Sequence, residues 1–185
     1  MPHVFDPSNK HELESDKRRE IQPPDPLVKF VSEIPDEIRQ IAVDVGAGTG
    51  YFTVHLAKLF KKVYAIEISF EMAEYLIKKA HESGLMNIGV IVSDKPPELD
   101  FNVDFVLFAN VLHELSDPQS YIHWAASKSR TIVVIDWKKI ETPFGPPLDD
   151  RILEEDVITM LEREGLKVDE IDAYQYHYFI VGERK

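Results

Sequence analysis

Glycines recur at every second position directly after a short apolar run, and this pattern can bind a ligand. They are Gly46, Gly48 and Gly50, and the run before them covers positions 41–45. Because glycine carries no Cβ, the backbone can turn sharply there and approach a bound molecule. The helical pattern that follows would add unpaired N–H groups and a partial positive charge. The alternative is a plain tight turn between a strand and a helix.

Two carboxylates stand where such a turn could use them. Asp44 lies two positions before the first glycine, where it can face a cationic ligand rather than a pyrophosphate. Glu67 ends the second apolar run, 21 positions after Gly46 (67 − 46), a spacing that suits an acid accepting from two vicinal ribose hydroxyls. The alternative for Glu67 is an exposed charge that caps the next helix. A dinucleotide-binding turn would have glycine at position 51, which is Tyr51.

One histidine lies where a base could serve a reaction at this site. His113 follows the fourth apolar run, and the unperturbed pKa of histidine lies near neutrality. It could therefore take a proton from a substrate. The alternative is a histidine that is hydrogen-bonded at the start of a helix. Substrate-side candidates of second rank follow the fifth run or lie near the end of the chain: Asp136, Trp137, Lys138, Tyr176 and His177.

Alternating strand and helix patterns must position these residues. Short apolar runs predict buried strands at 41–45, 63–68, 88–92, 103–109 and 131–135. Helical patterns lie between them, at 51–60, from Ser69 onward, at 117–127 and at 153–164. Two further β-rich stretches end the chain. We therefore predict an α/β, Rossmann-like three-layer sandwich around a mostly parallel seven-stranded sheet with an antiparallel hairpin at its edge. Ligands bind beyond the carboxyl ends of the strands in such sheets.

The motifs resemble those of class I S-adenosylmethionine-dependent methyltransferases. The sequence D-x-G-x-G-x-G at 44–50 is similar to motif I of this family, and Glu67 matches its motif II acid. Residues 68–72 resemble the D-I-S-x-x-M stretch of the family. The resemblance implies S-adenosylmethionine as the cofactor, with Asp44 facing its aminocarboxypropyl part. It implies the following cofactor-binding residues: Asp44, Gly46, Ala47, Gly48, Gly50, Tyr51, Glu67, Ile68, Met72, Asp94, Asn110 and Val111.

The same resemblance implies what the later residues of this set do. Ile68 and Met72 would pack near the adenine, although a place in the core is the alternative for Met72. Asp94 would accept a hydrogen bond from the adenine amino group, and its alternatives are a cap or simple solvation. Asn110 and Val111 would line the methionine part of the cofactor.

The stretch N-V-L-H-E at 110–114 resembles the quinone- and arsenite-methyltransferase branch, a group of small prokaryotic enzymes. The Pro-Gly-Gly turn common in that branch is replaced by residues 127–130. The chain has no cysteine, which excludes arsenite methylation through thiols and cytosine methylation through a thiol nucleophile. Only Asp136 fits a catechol-type metal site, so we expect no metal.

The composition limits the kinds of partner that the chain is expected to bind. A formal net charge of −12 disfavours nucleic acid, because a phosphate-binding protein needs a basic face. The basic triplet 17–19 lies among acidic residues and predicts a solvated helix face. No apolar run reaches the roughly 20 residues that cross a bilayer, and the N-terminal stretch lacks the apolar middle of a secretory signal. We therefore expect no membrane partner and a cytoplasmic location.

At 185 residues the chain has room for one domain and a short extension. Residues 1–39 form the predicted N-terminal arm and helix, which could be a lid or a solvated tail. Residues 40–185 form the predicted methyltransferase domain. The predicted function is methyl transfer from S-adenosylmethionine to a small-molecule acceptor. The alternatives are a catalytically silent cofactor-binding sensor or partner subunit and, further removed, an NAD-dependent oxidoreductase.

Overall fold

Seven strands form one sheet in this computed structural model, which describes residues 5–184. The strands are β1 (Ile41–Val45), β2 (Lys62–Glu67), β3 (Ile88–Val92), β4 (Val103–Ala109), β5 (Ser129–Trp137), β6 (Lys167–Glu170) and β7 (His177–Glu183). Their order in the sheet is β3-β2-β1-β4-β5-β7-β6. Strands β1 to β5 pair in parallel, and β7 runs antiparallel to both β5 and β6. The predicted fold class is therefore confirmed. The first four residues of the predicted arm and the last residue of the predicted domain lie outside the described range.

Helices cover both faces of this sheet. They are α1 (Asp16–Ile21), α2 (Asp25–Glu33), α3 (Thr53–Leu56), α4 (Phe70–Glu82), α5 (Pro118–Lys128) and α6 (Glu154–Arg163). Short 3₁₀ helices span Pro7–Glu14, Asp36–Ile38, Leu112–Glu114 and Leu148–Asp150. Leu27 of α2, Leu56 of α3 and Leu76 of α4 pack on one face of the sheet. Ile122 of α5 and Leu161 of α6 pack on the other, which completes three layers.

The predicted helix ends are confirmed at three places and one predicted helix is shorter than expected. Ser69 caps α4 by accepting from the Met72 N–H group, Asp117 caps α5, and Gly165 follows α6 at a φ of 76°. The predicted helix at 51–60 contains only the single turn α3. Around it, hydrogen bonds between residues four apart are mixed with bonds between residues three apart, such as that from the His55 N–H group to the Phe52 carbonyl. Such bonds tighten the backbone into 3₁₀ turns.

The N-terminal segment, residues 5–22, lies against the carboxyl ends of the parallel strands. Its 3₁₀ helix Pro7–Glu14 contacts α4, and α1 follows it directly. The next helix, α2, anchors the segment to the sheet, since Leu27 and Val31 are fully buried and the Phe30 ring lies 5.8 Å from that of Phe179. Within residues 5–184, no helix is long and apolar enough to cross a membrane.

Candidate cofactor and acceptor site

The glycine turn after β1 is closely packed and could not hold larger residues. Gly46 and Gly50 have φ angles of 67° and 79°, a left-handed conformation that favours glycine. A Cβ atom at position 46 would lie 2.2 Å from Cγ2 of Val111, and one at position 50 would lie 2.8 Å from Cγ of Leu76. The Gly46 N–H group donates to the Ile66 carbonyl at 2.8 Å. The turn is thereby fixed against β2 and against the loop that follows β4.

Asp44 is buried in β1 beside this turn. One of its oxygens accepts from the Thr53 hydroxyl at 2.6 Å, and the residue is 2% exposed. Burial raises the pKa of Asp44 to about 7, although the Thr53 hydrogen bond and the positive charge of Arg18 act in the opposite direction. A carboxylate held this way gains from a cation that comes close to it. That Asp44 faces a positively charged ligand stays a prediction.

Glu67 connects the glycine turn to the start of α4. Its Oε2 atom accepts from the Gly48 N–H group at 2.7 Å, and its Oε1 atom accepts from the Ser69 N–H group at 2.9 Å. The residue is 6% exposed. Glu67 is therefore not a solvated surface charge. Each oxygen keeps lone pairs beyond the one that binds the backbone, so contact with ribose hydroxyls stays a prediction.

The other residues expected at the cofactor divide into buried and exposed groups. Ala47, Tyr51 and Met72 are buried, and Tyr51 donates its hydroxyl hydrogen bond to the Gln22 carbonyl at 3.0 Å. Ile68 is 56% exposed, which is unusual for so apolar a residue. Asp94 is exposed in the turn after β3, at the edge strand of the sheet. Ile68 and Asp94 thus have accessible side chains at the carboxyl ends of β2 and β3.

The turn after β4 adds a strained residue. Asn110 has a φ of 56°, a conformation that costs a non-glycine residue energy and that concentrates at functional sites. Its side-chain amide exchanges two hydrogen bonds with Gln22, of 2.7 and 3.1 Å. Val111 follows and packs on Gly46. The amide pair joins the arm to the β4 turn across 88 positions of sequence.

His113 pairs with a buried carboxylate on the neighbouring strand. Its Nδ1 atom lies 2.7 Å from Oδ1 of Asp136 in β5, and its backbone N–H group donates to Oδ2 of the same residue at 3.3 Å. The sequence predicted Asp136 just after the fifth strand, whereas the structure places it inside β5. On the other side of the ring, Nε2 lies 3.9 Å from Oε1 of Glu114. The pair orients the imidazole and leaves Nε2 without a close partner.

The charges around His113 change its acidity. Burial by itself lowers the pKa of His113, but the charge of Asp136, their hydrogen bond and the charge of Glu114 outweigh burial and raise it. Burial raises the pKa of Glu114 to about 7, while His113 and a hydrogen bond from the Phe5 backbone act to lower it. The pKa values of two neighbouring groups are therefore both raised, that of Glu114 to about 7.

Aromatic side chains continue from this pair. The Trp137 and His177 rings are tilted by 44° to each other, with centroids 4.1 Å apart. The Trp137 ring also lies 6.0 Å from that of Phe144, which lies 5.3 Å from that of Tyr176. Burial lowers the pKa of His177 to about 3, so this ring is neutral at ordinary pH. Lys138 donates to the Tyr174 carbonyl at 3.1 Å and supports the loop before β7. A groove of about 420 Å³ opens beside this cluster, between α1, Phe144 and residues 173–176.

The sequence did not reveal that several residues of the N-terminal arm contact the glycine turn and the residues after it. Glu14 accepts from the Thr49 hydroxyl and from the Lys79 ammonium, each at 2.6 Å. The prediction of a solvated triplet at 17–19 is wrong for Arg18, whose guanidinium is buried against the Tyr51 ring at 4.3 Å. The reason is the position of α1 over the glycine turn, which local composition does not reveal.

Comparison with known proteins shows that this chain is similar to methyltransferases. A family model described as a methyltransferase domain matches residues 43–127. The crystal structure of an S-adenosylmethionine-dependent methyltransferase from Aquifex aeolicus superposes with a TM-score of 0.84 at 30% identity, over 97% of this chain and 98% of the other. A curated protein of Dictyostelium discoideum named as a methyltransferase is 33% identical over 97 residues, which are 52% of this chain and 35% of that protein. Magnesium protoporphyrin IX methyltransferase from Synechocystis, with S-adenosylhomocysteine bound, shares the fold at 19% identity and a TM-score of 0.72, over 89% and 83% of the two chains.

The chain belongs to the class I S-adenosylmethionine-dependent methyltransferases, and S-adenosylmethionine is the cofactor of this family. The chain spans about a third of the length of the curated relatives that it matches. The residues at the crevice fit this cofactor. The cradle formed by Gly46 and Gly50 has no room for a Cβ, the carboxylates of Asp44 and Glu67 border it, and Ile68 offers an exposed apolar surface.

Proposed function

We propose that this protein transfers a methyl group from S-adenosylmethionine to a small-molecule acceptor, with His113 as the base. The observation that carries the proposal is the His113–Asp136 pair. It lies at the same sheet edge as the glycine turn and Glu67, since all follow or end parallel strands. A histidine held by a carboxylate beside a cofactor crevice can take the proton that an acceptor loses during methyl transfer.

Each residue of the crevice has a part in this proposal. Asp44 faces the cationic methionine end, Glu67 binds the ribose hydroxyls, and Asp94 accepts from the adenine amino group. The apolar and glycine residues form the surface on which the cofactor lies: Gly46, Ala47, Gly48, Gly50, Tyr51, Ile68, Met72 and Val111. Asn110 holds the turn open next to the methionine part. The strained φ of Asn110 and the exposure of Ile68 support these assignments.

The chemistry needs alignment, exclusion of water and one proton transfer. When bound, the cofactor would supply a methyl group on a sulfonium, and an acceptor aligned with it would gain the methyl as the carbon–sulfur bond breaks and S-adenosylhomocysteine leaves. His113 takes the acceptor proton on Nε2, while Asp136 holds Nδ1 and stabilises the imidazolium that results. Residues 5–22 of the N-terminal arm act as a lid over the carboxyl ends of the strands and exclude water. The contacts of Glu14 with Thr49 and Lys79 support this part of the proposal.

We propose a small acceptor with an apolar or aromatic face. The groove beside Phe144, Tyr174 and Tyr176 has about 420 Å³, which is within the size range of small-molecule sites. The net charge of −12 disfavours nucleic acid. We also assign the chain to the quinone- and arsenite-methyltransferase-like branch, on the strength of the N-V-L-H-E stretch at 110–114. The cytoplasmic location stays a prediction.

An assay with labelled cofactor tests this function. The protein is incubated with methyl-labelled S-adenosylmethionine and a fractionated small-molecule extract, and labelled products are identified by mass spectrometry. We expect label in a compound below about 1,000 Da and none in added RNA or protein. Binding of the cofactor without transfer to any fraction would favour the silent sensor or partner subunit.

The acidity of Asp44 predicts a pH-dependent affinity. In the free protein Asp44 has a pKa of about 7, and an approaching cation favours its ionised form, so binding releases a proton. Below pH 7 the carboxyl group of Asp44 must lose its proton before the cation binds. Each pH unit below 7 therefore weakens the affinity about tenfold. We therefore expect the dissociation constant of S-adenosylhomocysteine, whose amino group is positive, to be about tenfold larger at pH 6 than at pH 8.

Calorimetry over this pH range measures the effect, and Asp44→Asn is the matched variant. The asparagine variant should bind more weakly at pH 8 and lose the dependence on pH. If the dissociation constant of Asp44→Asn depended on pH as steeply as that of wild type, the proton released on binding would come from another group. That result would contradict the prediction.

A further inference from the structure

Arg18 is a partly buried cation that has an inaccessible Nε atom and no anionic partner among the described residues. Its guanidinium carbon lies 4.3 Å from the centroid of the Tyr51 ring and 5.9 Å from that of Phe52. Its Nη1 atom makes one long hydrogen bond of 3.5 Å to the Leu13 carbonyl, and its Nε atom is inaccessible and without a partner among the described residues. Within residues 5–184, no carboxylate oxygen lies within 4.0 Å of this side chain.

This environment costs free energy that an anion would recover. Burial lowers the pKa of Arg18 to about 10, against the raising effects of Tyr51, Glu14 and Asp44, so the side chain stays charged at neutral pH. A guanidinium has five donors in a fixed planar fork and binds carboxylates through two parallel hydrogen bonds. A buried charge that lacks such a partner is strongly unfavourable.

The acidic residues nearest to Arg18 are already engaged elsewhere. Glu14 binds Thr49 and Lys79 through its Oε1 atom. Asp44 accepts from Thr53, and its raised pKa leaves it partly protonated near pH 7. The two neighbouring basic residues differ from Arg18, since Lys17 lies over the Phe144 ring and Arg19 pairs with Asp16 at the surface. Of these three basic residues, Arg18 is the one that contacts Tyr51 and Phe52, directly after the glycine turn.

We propose that Arg18 binds the α-carboxylate at the amino-acid end of the cofactor and so locks the arm over the occupied site. The inference rests on the proposed function, because it takes the crevice at Asp44 and the glycine turn as the place of the methionine part. Asp44 would then meet the positive amino or sulfonium group, and Arg18 the negative carboxylate of the same ligand. Asp44 and Arg18 would each gain an opposite charge.

A comparison of two ligands tests this assignment. S-adenosylhomocysteine is compared with the analogue that lacks only its α-carboxylate, on wild type, Arg18→Met and the matched surface variant Arg19→Met. We expect wild type to prefer the carboxylate ligand by about ten- to hundredfold, as charge-assisted hydrogen bonds of this kind imply. Arg18→Met should lose that preference and bind the analogue within about twofold of wild type, while Arg19→Met retains the wild-type preference.

Further outcomes separate this inference from the proposed function. Arg18→Lys keeps the charge and disturbs packing less, so it should retain part of the preference for the ligand with the α-carboxylate. This variant replaces Arg18→Met in the test if Arg18→Met does not fold. Equal weakening of both ligands in Arg18→Met, or equal affinity of wild type for both ligands, would overturn the inference and leave the proposed function standing. Failure of wild type to bind S-adenosylhomocysteine at all would overturn both.

Discussion

Replacement of His113 by alanine is expected to lower the turnover number by about 10²- to 10⁴-fold, the usual contribution of a general base, and to leave cofactor affinity nearly unchanged. The physical reason is the orientation of the ring, whose Nδ1 atom is 2.7 Å from Asp136 while Nε2 is free to accept a proton. Steady-state kinetics and titration with S-adenosylhomocysteine measure the two effects separately. If the acceptor is already ionised or is a neutral amine, the loss is much smaller.

Two further variants separate catalysis from folding. His113→Asn keeps a hydrogen-bond donor for Asp136 but cannot act as a base, so it should be as slow as the alanine variant while remaining folded. His123→Ala removes an exposed histidine that pairs with Glu164 at 2.9 Å, and it should retain wild-type turnover. If His113→Ala lost cofactor binding and unfolded at a lower temperature, with His113→Asn fully active, the histidine would be structural.

The proposed role of His113 as a base also predicts how turnover depends on pH. Neutral imidazole is the active form, so turnover should rise with pH through the pKa of His113, which Asp136 and Glu114 hold above its ordinary value. Removing the charge in Asp136→Asn leaves burial to lower that pKa. The rising limb should therefore move to lower pH, and the plateau should fall because the ring has lost its orienting partner. A limb that does not move would mean that another group titrates.

Replacement of Glu67 is the second change with a large expected effect. In Glu67→Ala the cofactor loses two charge-assisted hydrogen bonds to its ribose, each worth about 1.5–3 kcal/mol, so affinity should fall at least tenfold. The structure adds a second cause, because the carboxylate also accepts from the Gly48 and Ser69 N–H groups and orders the glycine turn.

Matched variants distinguish these two causes. Glu67→Gln keeps a carbonyl oxygen for one backbone donor and should be less disruptive to the turn than alanine, although still weakened toward the ribose. Glu82→Ala, at an exposed position of α4 beside Lys78, should bind the cofactor normally. An unchanged dissociation constant in a well-folded Glu67→Ala protein would show that the carboxylate has no contact with the cofactor.

The strands and the glycine turn were predictable because their signals are local. Parallel strands covered on both faces appear as apolar runs, and the structure places β1, β3 and β4 at the predicted positions. The length of the helix at 51–60 was overestimated. Its apolar stripe is real, since Phe52, Leu56 and Phe60 are all buried, but the backbone there mixes α-helical with 3₁₀ hydrogen bonds. Periodicity of side chains does not distinguish the two.

Contacts between distant parts of the chain could not be predicted. The partner of His113 lies 23 positions away, and Asn110 pairs with Gln22 across 88 positions. Arg18 belongs to a basic triplet whose composition indicates solvent, yet the path of the arm buries it over Tyr51. The first contact depends on which strand ends meet in the sheet, and the other two depend on the path of the arm.

The most direct test of the account is calorimetric titration of the wild-type protein with S-adenosylhomocysteine and, in parallel, with NAD. The glycine turn, the carboxylates of Asp44 and Glu67 and the presence of Tyr51 at position 51 all favour the first ligand. We predict one S-adenosylhomocysteine bound per chain and no measurable heat from NAD. Tight binding of NAD with no response to S-adenosylhomocysteine would contradict the account.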